Sequence, residues 1–236
     1  MTEKPTRAMV LAAGFGKRMR PLTDTTPKPL VPLLGKPLID WVMDRLNVGG
    51  IQSYVVNAHY LGEQIKAHFT GRDDVALSPE QEILDTGGGV KKALPLLNAD
   101  SFVVANADSV WLDGDRPAVS RLLDAWDPAV MDVLLLLTPA STAHGYDGPG
   151  DFFLEADGHA RRRKDGETAP YVFAGVHVLA AHLFDDSPDG FFSLNILFDR
   201  AEQEGRLFAI PHDGQWYHIG TPESLASAQN VIRQTG

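Results

Sequence analysis

The feature that most constrains the fold is a short apolar run that ends in a glycine turn. Residues 8–11 read Ala-Met-Val-Leu, and two alanines then lead into Gly14-Phe-Gly16. An apolar run of this length, bounded by glycine, is typical of a buried strand whose carboxyl end lies close to a ligand. The pattern predicts a first strand over residues 7–13 and a binding loop directly after it.

Strand-like and helix-like segments alternate after that loop. We predict strands over residues 51–57, 101–105 and 130–138 and an extended segment over 78–85. We predict helices over residues 37–47, 61–69 and 117–125, and a further helix into which residues 86–89 lead and which ends at residue 97. This alternation favours an α/β fold of the Rossmann-like type, with an open, mixed, mostly parallel sheet flanked by helices. After residue 140 the pattern changes to strands over 151–155 and 171–178 and helices over 192–203 and 222–232. We expect a single domain over residues 1–236, with a substrate-side half from about residue 141.

Composition excludes several classes of protein. The 236 residues are 44% hydrophobic and 22% charged, which is ordinary for a soluble globular chain. No apolar stretch approaches the roughly 18 residues that span a bilayer, and the polar start shows no secretory signal, so we expect a cytoplasmic protein without a membrane partner. The absence of cysteine excludes disulfides and thiolate zinc sites. The net charge of −10 argues against a nucleic-acid partner.

Positive charge is nevertheless concentrated between residues 14 and 36. Five basic residues stand there against the single acidic Asp24: Lys17, Arg18, Arg20, Lys28 and Lys36. The same segment carries Pro21, Pro27, Pro29 and Pro32, which restrict the backbone. A solvated basic loop is the ordinary interpretation of such a run, but a stiff one favours a confined anion site.

Two nucleotide motifs do not fit this loop. A dinucleotide-binding G-x-G-x-x-G needs glycine at position 19, where the chain has Met19, and the acidic residue at the expected distance, Asp40, lies in a predicted helix. A G-x-x-x-x-G-K-[ST] phosphate loop is absent. An arginine that can bind two phosphate oxygens and a lysine on one rigid loop suit a triphosphate better than a pyrophosphate bridge.

The loop resembles the signature of a known family. Gly14-x-Gly16-x-Arg18-x-x-Pro-Leu-Thr followed by Pro-Lys28-Pro is similar, without a gap from about residue 10 to 32, to the sugar-1-phosphate nucleotidyltransferases. Later family blocks follow in the right order: Leu84-Asp-Thr-Gly-Gly-Gly89, Asn106-Ala-Asp108 and Ile219-Gly-Thr-Pro222. Within the family the chain is most similar to the N-acetylmuramate-1-phosphate uridylyltransferases of bacterial cell-wall recycling, and some mannose-1-phosphate guanylyltransferases are close.

The resemblance implies a reaction and its main residues. An oxygen of a sugar 1-phosphate would attack the α-phosphorus of a nucleoside triphosphate, and pyrophosphate would leave. Arg18 would hold the β- and γ-phosphates, Lys28 would bridge the α-phosphate and the sugar phosphate, and Asp108 would bind Mg²⁺ as the cofactor. Taken alone, an aspartate just after a strand is more often a turn residue than a metal ligand.

The resemblance also implies binding residues on both sides of the reaction. The nucleotide contacts would come from Leu11, Ala13, Gly14, Gly16, Glu82, Thr86, Gly87 and Gly88, within the half over about residues 1–140. The sugar contacts would come from Gly150, Asp151 and Gly175, within the half over about residues 141–236. An isolated triple glycine before a helix is otherwise a flexible capping region.

One position departs from the family pattern. The second metal carboxylate normally stands two residues before the glycine of Ile219-Gly220, where this chain has His218. A neutral imidazole suits softer ions than Mg²⁺ and adds no negative charge. Three interpretations remain: His218 still binds the metal, a shifted carboxylate such as Asp213 replaces it, or activity is weak.

The resulting prediction is an enzyme, a sugar-1-phosphate nucleotidyltransferase, as a monomer or small homo-oligomer. The nucleobase could be uracil or guanine, and the sugar N-acetylmuramate, mannose or another hexose or heptose. A nucleotide-sugar sensor with little catalytic activity is the alternative from another class, and Met19 disfavours an NAD-dependent oxidoreductase. Some relatives append a left-handed helical acyltransferase domain, for which 236 residues leave no room, so we expect a single activity.

Overall fold

The computed structural model describes residues 4–235. Its helices are α1 (Leu38–Val48), α2 (Gly62–His68), α3 (Asp85–Leu97), α4 (Ala118–Ala125), α5 (Asn195–Gln203) and α6 (Pro222–Thr235). The strands of the first half are β1 (Arg7–Leu11), β2 (Pro32–Leu33), β3 (Lys36–Pro37), β4 (Ser53–Ala58), β5 (Val75–Pro79), β6 (Ser101–Asn106), β7 (Ser109–Leu112) and β8 (Val133–Pro139). The remaining strands are β9 (Ala143–His144), β10 (Phe152–Leu154), β11 (Ala160–Arg162), β12 (Tyr171–Ala180), β13 (Leu207–Pro211) and β14 (Gln215–His218).

The central sheet is mixed, as the sequence predicts. Strands run in the order β11-β10-β12-β6-β1-β4-β5, and β8 pairs with both β12 and β13. The strands β6, β1, β4 and β5 are parallel neighbours, whereas β12 runs antiparallel to β6, β8 and β10. The parallel strands therefore present their carboxyl ends at one edge of the sheet, where open α/β sheets bind ligands.

Helices cover both faces of this sheet because its strands are apolar on both faces. Ala8 and Val10 of β1 pack with the α1 and α4 side, which contributes Val42 and Leu122. Met9, on the opposite face of the same strand, belongs to a second cluster with residues of α3 and α5. A third cluster joins Met19 of the binding loop to α1, β14 and α6. These buried contacts fix the loop relative to the sheet edge.

Several predicted boundaries are wrong in ways that bear on the site. The first strand ends at Leu11, not at residue 13, because the Ala12 N–H is bound by a side chain. The predicted loop over 14–36 contains three 3-10 turns and the short β2–β3 hairpin. The glycines 87–89, expected before a helix, lie inside α3.

A small second sheet was not predicted from the sequence. Strands β7, β14 and β9 pair in the order β7-β14-β9 and bring His218 opposite Ser109. Each of these strands has only two to four residues, too few for a hydrophobic period to be recognised. Within residues 4–235, no helix is both long and apolar enough to cross a bilayer.

Candidate active site

A cleft of about 400 Å³ opens at the carboxyl ends of the parallel strands. Its walls are the loop after β1, the ends of β4 and β6, and the first turn of α3. Most of the residues predicted to bind the nucleotide line it: Leu11, Ala13, Gly14, Gly16, Arg18, Lys28, Thr86 and Asp108. The structure thus gathers residues from four separate sequence segments around one cavity.

The loop after β1 has a fixed backbone. Gly16 adopts the left-handed conformation (φ +61°), and a Cβ there would lie 3.0 Å from both the Lys28 and Thr23 side chains. The buried Thr23 hydroxyl donates a 2.8 Å hydrogen bond to the Gly16 carbonyl oxygen. Met19 is fully buried and returns the chain to the core. The residue that breaks the dinucleotide motif is therefore an anchor of this loop, and glycine would remove it.

The cations of the loop differ in their partners. Lys28 is mostly buried and forms an ion pair with Asp108, whose side chain is 36% exposed. Among the described residues, Arg18 has no carboxylate partner, and its guanidinium lies beside Gly220. An arginine without a carboxylate partner, beside the Lys28–Asp108 ion pair, leaves one positive charge at this wall of the cleft to bind an anion.

A buried polar pair that the sequence analysis missed closes the base of the cleft. The Asn57 amide oxygen accepts the Ala12 N–H (2.7 Å), and its amide nitrogen donates to Glu80 Oε1 (2.6 Å). The other Glu80 oxygen accepts the Leu84 N–H, and both side chains line the cleft. Asn57 lies one residue before the end of β4 and Glu80 directly follows β5, a position at strand ends by which they could have been found. Glu80 thus occupies the place in the cleft that the sequence analysis gave to Glu82, which is exposed and lies outside the lining.

The three consecutive glycines serve close packing. A Cβ at Gly87 would lie 2.3 Å from the Phe192 ring, and one at Gly88 would lie 1.9 Å from the Gly190 carbonyl oxygen. The N–H groups of both residues donate to the Phe192 carbonyl oxygen. A Cβ at Gly89 would meet the Asn57–Glu80 pair at 2.9 Å. Gly87 and Gly88 therefore lie outside the cleft lining, and their backbone groups are engaged by the 190–192 segment.

The first turn of α3 still reaches the cleft through other residues. Thr86 and Asp85 line it, and the Thr86 hydroxyl accepts the Leu194 N–H at 3.0 Å. The Asp85 carboxylate accepts the Thr86 N–H at 2.7 Å. The N–H groups at the start of α3 are thus bound within the protein, Thr86 by Asp85 and both glycines by the Phe192 carbonyl oxygen.

A second pocket of about 240 Å³ adjoins the first. The two cavities share Arg18, Lys28, Asn106 and Asp108. Asp151 and Tyr146 line the second pocket, and one Asp151 oxygen accepts the Phe173 N–H at 2.9 Å. Burial and the neighbouring Asp151 raise the pKa of the Tyr146 hydroxyl. Within residues 4–235 no hydrogen bond to the other Asp151 oxygen is formed, so that oxygen can accept a hydroxyl.

Of the two glycines predicted to bind the sugar, Gly175 lines the second pocket and Gly150 does not. Gly175 lines the second pocket, in the irregular stretch of β12, with φ +78°. A Cβ there would lie 1.9 Å from Ser109 Oγ, so glycine makes room for that side chain. Gly150 lies outside the lining: its N–H donates to the Tyr146 hydroxyl, and its carbonyl oxygen accepts Arg163 Nε. Gly150 fixes the loop that carries Asp151.

His218 lines the second pocket near the two site cations. A Cβ at Gly220 would lie 2.7 Å from His218 Nε2 and 3.4 Å from Arg18 Nη1, so both side chains converge on this glycine. Partial burial, Arg18 and Lys28 lower the pKa of His218 and favour the neutral imidazole. The alternative carboxylate, Asp213, binds Arg121 at 2.7 Å and does not line either pocket.

The residues present fit a magnesium ion that arrives with phosphate ligands. Within residues 4–235 no group of three or more His, Asp or Glu side chains could hold a metal by itself. Asp108 offers a partly exposed carboxylate where the two pockets meet. Mg²⁺ usually binds one or two carboxylates together with substrate phosphates and water. Asp108 supplies such a carboxylate.

Comparison with known proteins defines the class. A family model described as nucleotidyl transferase matches residues 7–147, and the chain belongs to this family. It is 42% identical to the N-acetylmuramate alpha-1-phosphate uridylyltransferase of Caulobacter vibrioides, over 97% of this chain and 98% of that protein. The protein of the same name from Neisseria meningitidis serogroup B is 37% identical, over 94% and 96%. These findings confirm the family inferred from the loop signature.

More distant similarities extend the same picture. The D-glycero-alpha-D-manno-heptose 1-phosphate guanylyltransferase of Aneurinibacillus thermoaerophilus is 27% identical, over 96% of this chain and 98% of that protein. A crystal structure of UDP-glucose pyrophosphorylase complexed with UDP-glucose superposes with a TM-score of 0.79 at 15% identity, covering 98% of this chain and all of the other. The latter similarity shows the shared fold alone. The chain is a nucleotidyltransferase of the sugar-1-phosphate type.

Proposed function

We propose that the protein transfers the uridylyl group of UTP to N-acetylmuramate 1-phosphate, giving UDP-N-acetylmuramate and pyrophosphate. The observation that carries this proposal is the pair of adjoining pockets that share Arg18, Lys28, Asn106 and Asp108. A nucleotide in the first pocket and a sugar phosphate in the second would meet at this shared wall. The choice of UTP and N-acetylmuramate rests on the two relatives at 42% and 37% identity.

The chemistry requires charge neutralisation more than proton transfer. A phosphate monoester has a second pKa of about 6, so the attacking sugar phosphate is largely a dianion at neutral pH and needs no general base. The obstacle is repulsion between two polyanions. Lys28, at the shared wall, would contact the α-phosphate and the sugar phosphate, and Arg18 would bind the departing pyrophosphate.

Asp108 would hold Mg²⁺ in this scheme, and the metal would polarise the α-phosphate when bound. Its ion pair with Lys28 keeps both side chains at the shared wall before substrates arrive. We propose that His218, which lines the second pocket as a neutral imidazole, is a tolerated replacement of the second metal carboxylate. We also propose one catalytic domain acting in the cytoplasm, as a monomer or small homo-oligomer, with the nucleotide bound mainly by residues 1–140 and the sugar by residues 141–236.

The direct test is a matrix of substrates. The protein is incubated with Mg²⁺, each of UTP, GTP, dTTP and ATP, and each of N-acetylmuramate, N-acetylglucosamine, glucose and mannose 1-phosphate. Pyrophosphate release is then measured by a coupled assay. We expect the highest kcat/KM for UTP with N-acetylmuramate 1-phosphate, and no release when either substrate is omitted. Higher kcat/KM for another pair would replace the proposed substrates, and the absence of release from every pair would support a binding protein.

One observation favours a second candidate. The charged side chains described around the second pocket are Arg18, Lys28, Asp108 and Asp151. Both cations are assigned to phosphates, so the carboxylate of an N-acetylmuramate substituent would face Asp151 without a dedicated cation. Asp151 suits neutral hydroxyls instead, as in a hexose or heptose 1-phosphate. Mannose-1-phosphate guanylyltransferase activity is therefore the second candidate, and the GTP and mannose arms of the matrix test it.

A further inference from the structure

Lys17 is a cation of the nucleotide cleft that the scheme above leaves unused. It lines the cleft, and its side chain is exposed. Among the described residues its ammonium group has no carboxylate or hydrogen-bond partner, and it lies 5.3 Å from the centre of the Phe15 ring. Arg20, three residues along the same loop, is different, because it pairs with Asp24 at 3.2 Å and does not line the cleft.

The position of Lys17 separates it from the other two site cations. Arg18 and Lys28 line both pockets, whereas Lys17 lines the nucleotide cleft only. The phosphate shared with the sugar substrate must lie at the shared wall. A cation on the nucleotide side of that wall is placed to bind phosphates that belong to the nucleotide alone.

The loop backbone and the Phe15 ring position Lys17 beside the cleft before a ligand binds. Its backbone follows the left-handed Gly16, whose carbonyl oxygen is bound by the buried Thr23. The Phe15 ring beneath the ammonium group contacts the rings of His59 and Tyr60, at centroid distances of 5.6 Å and 5.7 Å. The ring attracts the ammonium group without neutralising its charge, so that charge stays available to an anion.

We propose that Lys17 is a specificity-determining residue that binds the terminal phosphates of the nucleoside triphosphate, and the pyrophosphate formed from them. This inference rests on the proposed nucleotidyl transfer. It assigns Lys17 to the β- and γ-phosphates together with Arg18, so that Lys17 selects a triphosphate over a mono- or diphosphate. It gives Lys17 no contact with the sugar phosphate.

The test compares Lys17→Met with the matched control Arg20→Met in both directions of the reaction. Methionine keeps an unbranched side chain and removes the charge. We expect Lys17→Met to raise the KM for UTP and, in reverse, the KM for inorganic pyrophosphate by about fivefold or more. The KM for the sugar 1-phosphate and for the UDP-sugar should stay within about twofold, Lys17→Arg should restore most of the loss, and Arg20→Met should resemble the wild type.

The results that would overturn the inference are distinct from a failure of the proposed function. An unchanged KM for both UTP and pyrophosphate, or an equal rise in the KM for the UDP-sugar, would show that Lys17 does not bind the terminal phosphates. If no substrate pair reacts, calorimetry with UTP and UMP still decides the point. Weaker binding of UTP with unchanged binding of UMP in Lys17→Met supports the inference, and equal losses for both refute it.

Discussion

Replacing Gly88 by alanine tests the account of the triple glycine, because that account assigns it to packing. The new Cβ would stand 1.9 Å from the Gly190 carbonyl oxygen, a backbone atom that cannot rotate away. Ordinary van der Waals contact begins near 3.4 Å, so α3 and the 190–192 segment must separate by roughly 1.5 Å. That movement would weaken the two hydrogen bonds from the N–H groups of Gly87 and Gly88 to the Phe192 carbonyl oxygen.

The magnitude follows from two opposing effects. Overpacking of a close contact costs about 1–3 kcal/mol of unfolding free energy, while alanine in place of glycine inside a helix returns up to about 1 kcal/mol. We expect a net loss of about 1–2 kcal/mol, which lowers the Tm of a chain of this size by roughly 2–8 °C. The KM for the nucleotide should also rise, because the first turn of α3 carries Thr86 into the cleft.

The matched control is Gly62→Ala, at the start of α2. A Cβ there would lie 3.6 Å from the Ala58 Cβ, which is ordinary contact, so neither the Tm nor the KM should change for the worse. Both variants are compared with the wild type by calorimetric melting and by steady-state kinetics. Equal melting temperatures for Gly88→Ala and Gly62→Ala would refute the packing role of Gly88. A changed KM for Gly88→Ala without a loss of stability would indicate that Gly88 contacts the ligand.

Three further predictions concern charged and titratable groups. In pyrophosphate-release kinetics, Lys28→Ala should lower kcat/KM by at least about tenfold, which is equivalent to roughly 1.4 kcal/mol of transition-state stabilisation. Near-normal turnover would show that Lys28 does not contact the reacting phosphates. His218→Asp should retain or raise the Mg²⁺-dependent rate, and complete loss in a correctly folded variant would show that the histidine has its own role. His177 is fully buried, and burial lowers its pKa from 6.5 to about 3, so the unfolded chain takes up the proton first as pH falls. The unfolding free energy is therefore at its full value above about pH 6.5 and falls at lower pH. Between pH 7 and pH 5 the loss linked to His177 is about 2 kcal/mol. In urea unfolding at pH 7 and pH 5, the difference in unfolding free energy should be smaller for His177→Leu than for the wild type. An unchanged difference would contradict the lowered pKa of His177.

The loop and the fold class could be predicted because local signals determine them. The apolar run before Gly14 and the repeated alternation of strands and helices are properties of contiguous residues. The polar pair Asn57–Glu80 was missed because its meaning depends on two strand ends, β4 and β5, lying side by side. Glu82, two residues further on, is also an acidic residue shortly after a strand-like segment. Only the fold distinguishes the buried Glu80 carboxylate from the exposed Glu82 carboxylate.

The role of the triple glycine could not be predicted for a related reason. Its constraint comes from Phe192 and Gly190, about a hundred residues away, and no local pattern reports such an approach. The second pocket similarly depends on the short strands β7 and β14, which bring His218 opposite Ser109. Tertiary contacts between distant segments thus set the parts of the site that could not be predicted from local sequence patterns.

The central claim is that a sugar phosphate in one pocket attacks the α-phosphorus of a nucleotide in the other. Phosphorus tracking tests it most directly: wild-type protein, Mg²⁺ and N-acetylmuramate 1-phosphate are incubated with UTP labelled at the α- or the γ-phosphorus. We expect the α label to appear in a sugar nucleotide that retains the sugar phosphate, and the γ label to appear in pyrophosphate. Release of the γ label as orthophosphate, or its transfer to the sugar, would contradict the account.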